Sequence, residues 1–284
     1  MAQTYRATGI NLKSMPLGET DRLVTVLTSE YGLVRAVAPG ARKQKSKLRG
    51  RTEPFVVNEL LIIKGRSLDK IVQAETRESY PGLSRDLGKL SAGQYLAELV
   101  LSLGLSEQPQ PELYDLFNEH LHRIEGLPNA RTDSSAAANL LARIAHGTFH
   151  LLASSGFAPQ VHTCCVTGRS LFPKSSEPHW RVQFSVEAGG ILSEDSLALA
   201  AQNTTQKHLN RSLANVELFL LQQLPSEDLD LAWGERPLDS DWSAAQIEAG
   251  WFAIERLLRH YAQYHLGKSI RSATLLDTLF ICEF

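Results

Sequence analysis

The period of the hydrophobic pattern changes near residue 80, and this change limits the folds that the chain can adopt. Before it, apolar and β-branched residues alternate in short runs, which is typical of strands. The runs cover residues 5–13, 22–28, 33–38, 55–64 and 69–76. Five short strands are too few for a two-sheet sandwich and predict a small closed barrel of the five-stranded Greek-key kind, an architecture that binds oligonucleotides.

Beyond residue 80 the apolar residues recur at helical spacing. Helices are predicted over residues 87–103, 113–124, 135–154, 212–224 and 244–266. The interval 159–196 departs from this pattern, with a short strand around 181–186 and a Gly189-Gly190 turn. We therefore predict an α+β fold, with a barrel domain at residues 1–80 and an α-helical domain at residues 81–284 that carries a knuckle insertion at about 159–196.

Charge is distributed unevenly between these two parts. Residues 1–80 contain 14 Lys and Arg against 8 Asp and Glu, a net charge of +6, whereas the remainder contains 15 against 23, a net charge of −8. A basic first part joined to an acidic remainder is expected when one module meets a polyanion and the other does not.

The segment Gly40 to Arg51 reads GARKQKSKLRGR and lies between two predicted strands. Its positive side chains are Arg42, Lys43, Lys45, Lys47, Arg49 and Arg51. Because phosphates neutralised by Lys and Arg release condensed counterions, such a segment favours nucleic acid. Flanking Pro39-Gly40 and Gly50 predict a mobile loop at the barrel rim. The alternative is a solvated charge run that protects an edge strand from aggregation.

Three aromatic residues of the barrel domain are candidates for base stacking. Exposed aromatic side chains stack on bases in barrels that bind single strands. Tyr31, beside a turn glycine, is the best candidate for this role, with the barrel core as the alternative. For Tyr5 the two readings stay open, and Phe55 fits the barrel core better.

The segment around Cys164 is similar to an eroded zinc site. A structural zinc site needs two C-x-x-C pairs, because four thiolates complete a tetrahedral shell. Here Thr167 follows Cys164 at the ligand spacing, and Ser193 and Ser196 occupy the second pair of positions. Hydroxyl groups are poor zinc ligands, so we expect no bound metal and a knuckle that packing alone holds.

Several classes of protein are disfavoured. With three cysteines and no basic-then-apolar opening, we expect a reducing cytoplasmic location without a membrane span. The sequence contains no nucleophile-elbow, phosphate-loop, zinc-protease or dinucleotide-binding motif, so we expect no catalytic residues, no cofactor and no enzyme. His146 and His150 share a helix face and fit plain packing better than metal binding.

The whole pattern resembles the bacterial RecO recombination mediators. The opening, ATGINLKSMPLGETDRLVTVLTSEYGLVRAVAPGARK, is similar to the family's barrel. GFAPQVHTCCVTG with FSVEAGGIL is similar to its zinc-knuckle region. LLRHYAQYHLGKSIRS is similar to its closing helix. The similarity covers nearly the whole chain in the family's order.

This resemblance implies an N-terminal OB-fold and a helical domain with a zinc knuckle. It also implies binding of single- and double-stranded DNA, annealing of complementary strands, and loading of the recombinase on DNA gaps in the nucleoid. The implied partners are RecR, RecA and the C-terminal tail of the single-strand-binding protein. Of the family's zinc ligands, only the first is kept, as Cys164.

Two rival functions make different predictions. An RNA-binding barrel protein in RNA processing would prefer RNA over DNA at equal salt, because 2′-hydroxyl groups would be contacted. An enzyme with a dispersed site would need a cluster of perturbed titratable groups in a deep pocket.

Overall fold

The computed structural model describes residues 3–128, 135–174, 177, 179–196, 210–231 and 242–281. Backbone contacts divide the chain into two compact units, Met1–Gly126 with Ile270–Phe284, and Leu127–Ser269. Strands give way to helices near residue 80, where the sequence pattern changes. The division into domains at residues 1–80 and 81–284 stays a prediction.

Five strands of the first unit form a closed barrel in the order β1-β2-β3-β5-β4. They are β1 (Thr4–Leu17), β2 (Asp21–Thr28), β3 (Gly32–Ala38), β4 (Val56–Ile63) and β5 (Asp69–Ser79). Neighbouring strands are antiparallel except β3 and β5, which pair in parallel at Ala36 with Asp69 and at Val37 with Lys70. The prediction of a five-stranded OB-fold barrel is confirmed.

The two-residue alternation of β3 explains how the barrel is filled. Val34, Ala36 and Ala38 are buried and point inward, while Arg35 is exposed on the outer side. Their partners in the core come from the other strands and include Val24, Val26, Leu60, Ile62 and Ile71. Small alanines facing branched side chains fit the narrow interior of a five-stranded barrel.

Three helices complete the first unit, namely α1 (Leu87–Leu103), α2 (Pro111–Glu125) and α6 (Ala273–Ile281). Phe55 is buried as predicted, but its ring lies against Gly93 of α1, where an added Cβ would be 3.2 Å from the ring. The sequence pattern did not predict α6. Its start is fixed because the Glu98 carboxylate accepts hydrogen bonds from the Ser272 N–H at 2.9 Å and the Ser272 hydroxyl at 2.7 Å.

The second unit combines helices with a small sheet in the order β7-β6-β8. The helices are α3 (Ala136–Ser154), α4 (Asn215–Gln223) and α5 (Ala244–Leu266), and the strands are β6 (Arg181–Ser185), β7 (Gly190–Leu192) and β8 (Asn210–Ala214). The predicted helix over residues 212–224 is wrong at its start, because residues 210–214 pair with β6 and the helix begins only at Asn215. No helix in the described ranges is long and apolar enough to cross a membrane.

The turn between β2 and β3 depends on Gly32. This glycine has φ +63°, and a Cβ there would lie 2.1 Å from the Leu105 carbonyl oxygen, because the segment 105–110 passes directly over it. The Leu33 N–H donates to the same oxygen at 2.8 Å. Glycine is required here both for the left-handed backbone and for the close approach.

Gly32→Ala is expected to lower the free energy of unfolding by more than about 2 kcal/mol, because strain and a backbone clash combine. Gly18→Ala is the matched control, since Gly18 has φ +60° with open space around it. The control is expected to cost about 1 kcal/mol, the penalty of a left-handed backbone alone. Urea unfolding compares the two variants, and equal losses would contradict the crowding at Gly32.

Candidate nucleic-acid interface

The basic loop, residues 40–51, connects β3 to β4 and carries unneutralised positive charge. The side chains of Arg42, Lys43, Lys45, Lys47 and Arg49 are exposed, and that of Arg51 is half-buried. Among the described residues, none of these six forms a salt bridge. The structure therefore brings together all six predicted cations and leaves their charges available to an anion.

The loop is a chain of turns, and its predicted mobility stays a prediction. Successive N–H groups donate to carbonyl groups three residues back, from Lys43 to Gly40 at 3.0 Å and from Ser46 to Lys43 at 3.1 Å. Buried Ala41 belongs to the barrel core, and half-buried Leu48 packs against it. These backbone bonds and apolar anchors fold the segment onto the barrel, with the charged side chains outward.

Two buried amides hold the end of the loop. The carbonyl oxygen of Arg51 accepts hydrogen bonds from Asn11 Nδ2 at 2.7 Å and from Asn58 Nδ2 at 2.8 Å. Asn11 Nδ2 also donates to the Glu53 carbonyl at 2.9 Å. Because Asn11 lies on β1 and Asn58 on β4, the loop is fixed to two strands of the barrel.

The beginning of the loop lies beside the turn between β1 and β2. The Gly40 N–H donates to Asp21 Oδ1 at 2.7 Å, and this bond lowers the pKa of the Asp21 carboxyl. Arg42 donates to the carbonyl groups of this turn, from its N–H to Thr20 at 2.9 Å and from Nη1 to Gly18 at 2.7 Å. The cations are thus presented at one end of the barrel.

Tyr31 does not join the basic loop. It lies in the turn before β3, whereas the loop follows β3. Tyr31 is 38% exposed, and the centroid of its ring is 4.7 Å from that of Tyr5. The Tyr31 N–H donates to Thr28 Oγ1 at 3.1 Å, which fixes the turn.

A groove of about 410 Å³ lies in front of this tyrosine pair. Side chains of Tyr5, Tyr31, Arg35, Lys64, Arg66 and Asp69 contribute to its lining. Of these six residues, only the two tyrosines are candidates by sequence, because the groove is formed by strands and turns that are distant in the chain. The sequence feature that points to the groove is Arg35, a charged residue that the alternation of β3 places on the outer side of the barrel.

Comparison with known proteins then identifies the chain. The family model described as "Recombination protein O N terminal" matches residues 1–80, and that described as "Recombination protein O C terminal" matches residues 84–274. The chain belongs to the RecO family. The two matches together cover the described barrel and most of the helical part.

Relatives of the RecO family match over the full length of the chain. A protein named DNA repair protein RecO from Gloeothece citriformis is 55% identical over 292 residues and covers 100% of both chains. Proteins of the same name from Trichodesmium erythraeum and Synechocystis sp. are 53% and 44% identical, covering 98% and 100% of this chain and 95% and 100% of their own. These names describe a repair protein and indicate no catalytic activity.

The RecO resemblance implies a zinc knuckle, and the donor set around Cys164 does not fit this metal. Cys164 Sγ is buried, lies 3.4 Å from Ser196 Oγ and accepts a hydrogen bond from the Ser193 N–H at 3.2 Å. Burial acts to raise the pKa of the Cys164 thiol, but the polar groups of Ser193, Ser196 and Thr167 lower it to about 5. One thiolate among hydroxyl groups lacks the ligands that tetrahedral zinc needs.

Hydrogen bonds stabilise this knuckle and connect its two segments. The Cys164 N–H donates to the Arg169 carbonyl at 2.8 Å, and the Cys165 N–H donates to the Ile191 carbonyl at 2.9 Å. The Ser196 hydroxyl donates to the Ser193 carbonyl at 2.6 Å. The predicted strand and glycine turn are present as β6 and the turn before β7.

The histidine pair on α3 binds backbone carbonyl groups. His146 Nε2 lies 2.8 Å from the Ser226 carbonyl oxygen, and His150 Nε2 lies 3.0 Å from the Leu224 carbonyl oxygen. Both carbonyls follow α4, whose last turn leaves such groups without helical partners. These contacts agree with the predicted packing role.

The fully substituted knuckle variant Thr167→Cys, Ser193→Cys and Ser196→Cys is expected to bind one zinc ion per chain, because four thiolates then surround the site. Its melting temperature should fall when a chelator is added, whereas that of the unmodified protein should not change. Adding Cys164→Ser to the variant is the matched control and should weaken zinc binding. Stoichiometric zinc in the unmodified protein, with chelator-sensitive melting, would contradict this reading.

Proposed function

We propose that the protein is a DNA-binding recombination mediator that anneals complementary single strands and helps to load the recombinase onto DNA covered by single-strand-binding protein during gap repair. Membership of the RecO family supports the repair role. The observation that carries DNA binding is the basic loop, whose six cations have no salt-bridge partner among the described residues. In this role no covalent bond is made or broken.

The physical basis of the proposal is counterion release. Each DNA phosphate that a Lys or Arg side chain neutralises frees condensed cations, which favours binding and makes the affinity depend on salt. Positive side chains placed between two strands also reduce the repulsion between their phosphates. Contacts of this kind do not read sequence, which suits a protein that must act at any gap.

The proposed partners are single- and double-stranded DNA, RecR, RecA and the acidic C-terminal tail of the single-strand-binding protein, in the nucleoid of the cytoplasm. An exposed strip on α5 is the proposed place for the tail. It consists of Arg256, His260 and Tyr264, which follow one another at helical spacing, with Lys268 just after the end of the helix. Basic groups around an exposed aromatic ring suit an acidic peptide with an apolar tip.

The variant Arg42→Ala, Lys43→Ala, Lys45→Ala and Lys47→Ala is expected to bind single-stranded DNA at least about tenfold more weakly at physiological salt. The slope of log affinity against log salt should become shallower by up to about 3, since each lost phosphate contact removes about 0.7. Fluorescence anisotropy across a salt series measures both quantities.

A matched pair of double variants separates the loop from net charge. Lys43→Ala with Lys45→Ala removes two exposed charges from the loop, and Arg77→Ala with Arg85→Ala removes two exposed charges elsewhere on the first unit. We expect only the loop pair to change the salt slope. If all curves coincide, the loop is a solvated face, and the proposed DNA contacts of residues 42–51 are wrong.

The same assay tests the rival function in RNA processing. A recombination mediator that contacts phosphates should bind DNA and RNA of one sequence with similar affinity at equal salt. A clear preference for RNA would instead indicate contacts to 2′-hydroxyl groups and would favour the rival.

A further inference from the structure

The groove beside β3 has the size and the lining of a separate binding site. Its volume of about 410 Å³ falls in the range of about 300–1,000 Å³ of clefts that hold small organic groups. Its lining includes the aromatic residues Tyr5 and Tyr31 and the basic residues Arg35, Lys64 and Arg66. Aromatic and basic side chains together are the combination that binds single-stranded nucleic acid.

Hydrogen bonds hold Tyr5 in place. The Tyr5 hydroxyl donates a hydrogen bond to the Asp69 carboxylate, which also accepts the Gly65 N–H at 3.0 Å. Burial and the bond to Asp69 raise the pKa of the Tyr5 hydroxyl, so it stays a donor. The Tyr31 ring contacts the Tyr5 ring in a tilted arrangement, with an angle of 59° between the ring planes, and Tyr31 is partly exposed. An exposed aromatic ring that a neighbour already holds in place can stack on a base with little ordering cost.

The charged residues that line the groove are Arg35, Lys64 and Arg66 against Asp69 and Glu107, a net charge of +1. Lys64 is paired with Glu107 at 2.7 Å, and the Asp69 carboxylate accepts hydrogen bonds from two neutral donors. Arg35 and Arg66 have no salt-bridge partner in the part of the chain that the structure describes. These two guanidinium groups are therefore available for phosphates that flank a stacked base.

The groove and the basic loop lie at different places on the barrel. Strand β3 begins at Gly32 beside Tyr31 and ends at Ala38, just before the loop begins. Seven extended residues span about 20 Å at about 3.3 Å per residue. Arg35 lies midway along this strand, so only the Tyr31 end of the groove is separated from the loop by the full length of β3.

We propose that the groove is a second nucleic-acid site, which stacks bases of one single strand on Tyr31 and binds its phosphates with Arg35 and Arg66, while the basic loop binds the phosphates of another strand. This inference rests on the proposed DNA-binding function and adds to it a division of labour between two sites. The groove site reads the π-face of unpaired bases, and the loop site accepts single-stranded or duplex DNA.

The first test separates stacking from phosphate binding. Tyr31→Ala is expected to weaken the binding of a short thymidine oligonucleotide at least about fivefold and to leave the binding of an abasic oligonucleotide of equal length unchanged. Tyr31→Phe, which keeps the ring, should bind like the unmodified protein. Phe172→Ala is the matched control, because Phe172 is an exposed aromatic residue of the second unit.

The second test counts strands by native mass spectrometry of the full chain with the same oligonucleotide. Two strands per chain are expected for the unmodified protein. One is expected both for the groove variant, Tyr31→Ala with Arg35→Ala and Arg66→Ala, and for the quadruple loop variant. The groove variant should still bind duplex DNA, because the loop is intact.

Each contrary outcome points to a different failure. Unchanged thymidine binding by Tyr31→Ala overturns the groove site while the loop function stands. One strand per chain, weakened by both variants, means that a single strand spans both regions and overturns the division. Free mononucleotide bound as tightly as the oligonucleotide means a nucleotide pocket instead. If the unmodified protein binds no DNA at all, the proposed function itself fails.

Discussion

The parallel pairing of β3 with β5 is the constraint on which both candidate DNA-contacting regions depend. Two residue pairs, Ala36 with Asp69 and Val37 with Lys70, close the barrel. Asp69, the first residue of β5, pairs with Ala36 of β3, and this pairing places the β4–β5 turn next to β3. Residues of that turn therefore line the groove together with Arg35. The same strand ends at Ala38, so the basic loop must start where the barrel ends. The small buried side chains of Ala36 and Ala38 leave room for the strands to meet where the barrel closes.

How much of this the sequence could predict depends on whether a feature is local. Strand alternation and the basic segment are properties of adjacent residues, and the five strands were predicted within a few residues. The groove depends on Tyr5 meeting Asp69, 64 residues away, and no periodicity reports such a pairing. Residues 212–214 look helical by spacing, but pairing with β6 overrides that preference. Conversely, the incomplete zinc donor set is visible in the sequence itself, because the ligand chemistry of each side chain is a property of that residue.

Salt bridges explain little about why the basic loop keeps its shape. Elsewhere on the barrel, Arg22 pairs with Glu53 at 2.8 Å and Lys64 with Glu107 at 2.7 Å, but exposed pairs of this kind contribute only about 0–1 kcal/mol. The loop instead relies on backbone hydrogen bonds and on the amides of Asn11 and Asn58. Its six like charges stand within ten residues of the sequence, so they repel one another over the screening length of about 8 Å at physiological salt. A bound polyanion removes that repulsion, whereas a salt bridge within the loop would weaken the binding of phosphate.

The two proposed sites differ in chemistry, and this implies an order of events in the proposed annealing. In that arrangement a strand on the basic loop would be held by its phosphates, so its bases would stay free to pair. A strand in the groove has a base on Tyr31, a contact worth about 1–3 kcal/mol, and must give it up to pair. A growing duplex gains about 1.4 kcal/mol per stacked pair, so a few pairs suffice to draw the strand out of the groove. The loop tolerates the duplex that results, since phosphate contacts do not depend on whether bases are paired. The groove would thus release its strand first and become free for the next one, while the loop keeps the product bound until salt or a partner displaces it.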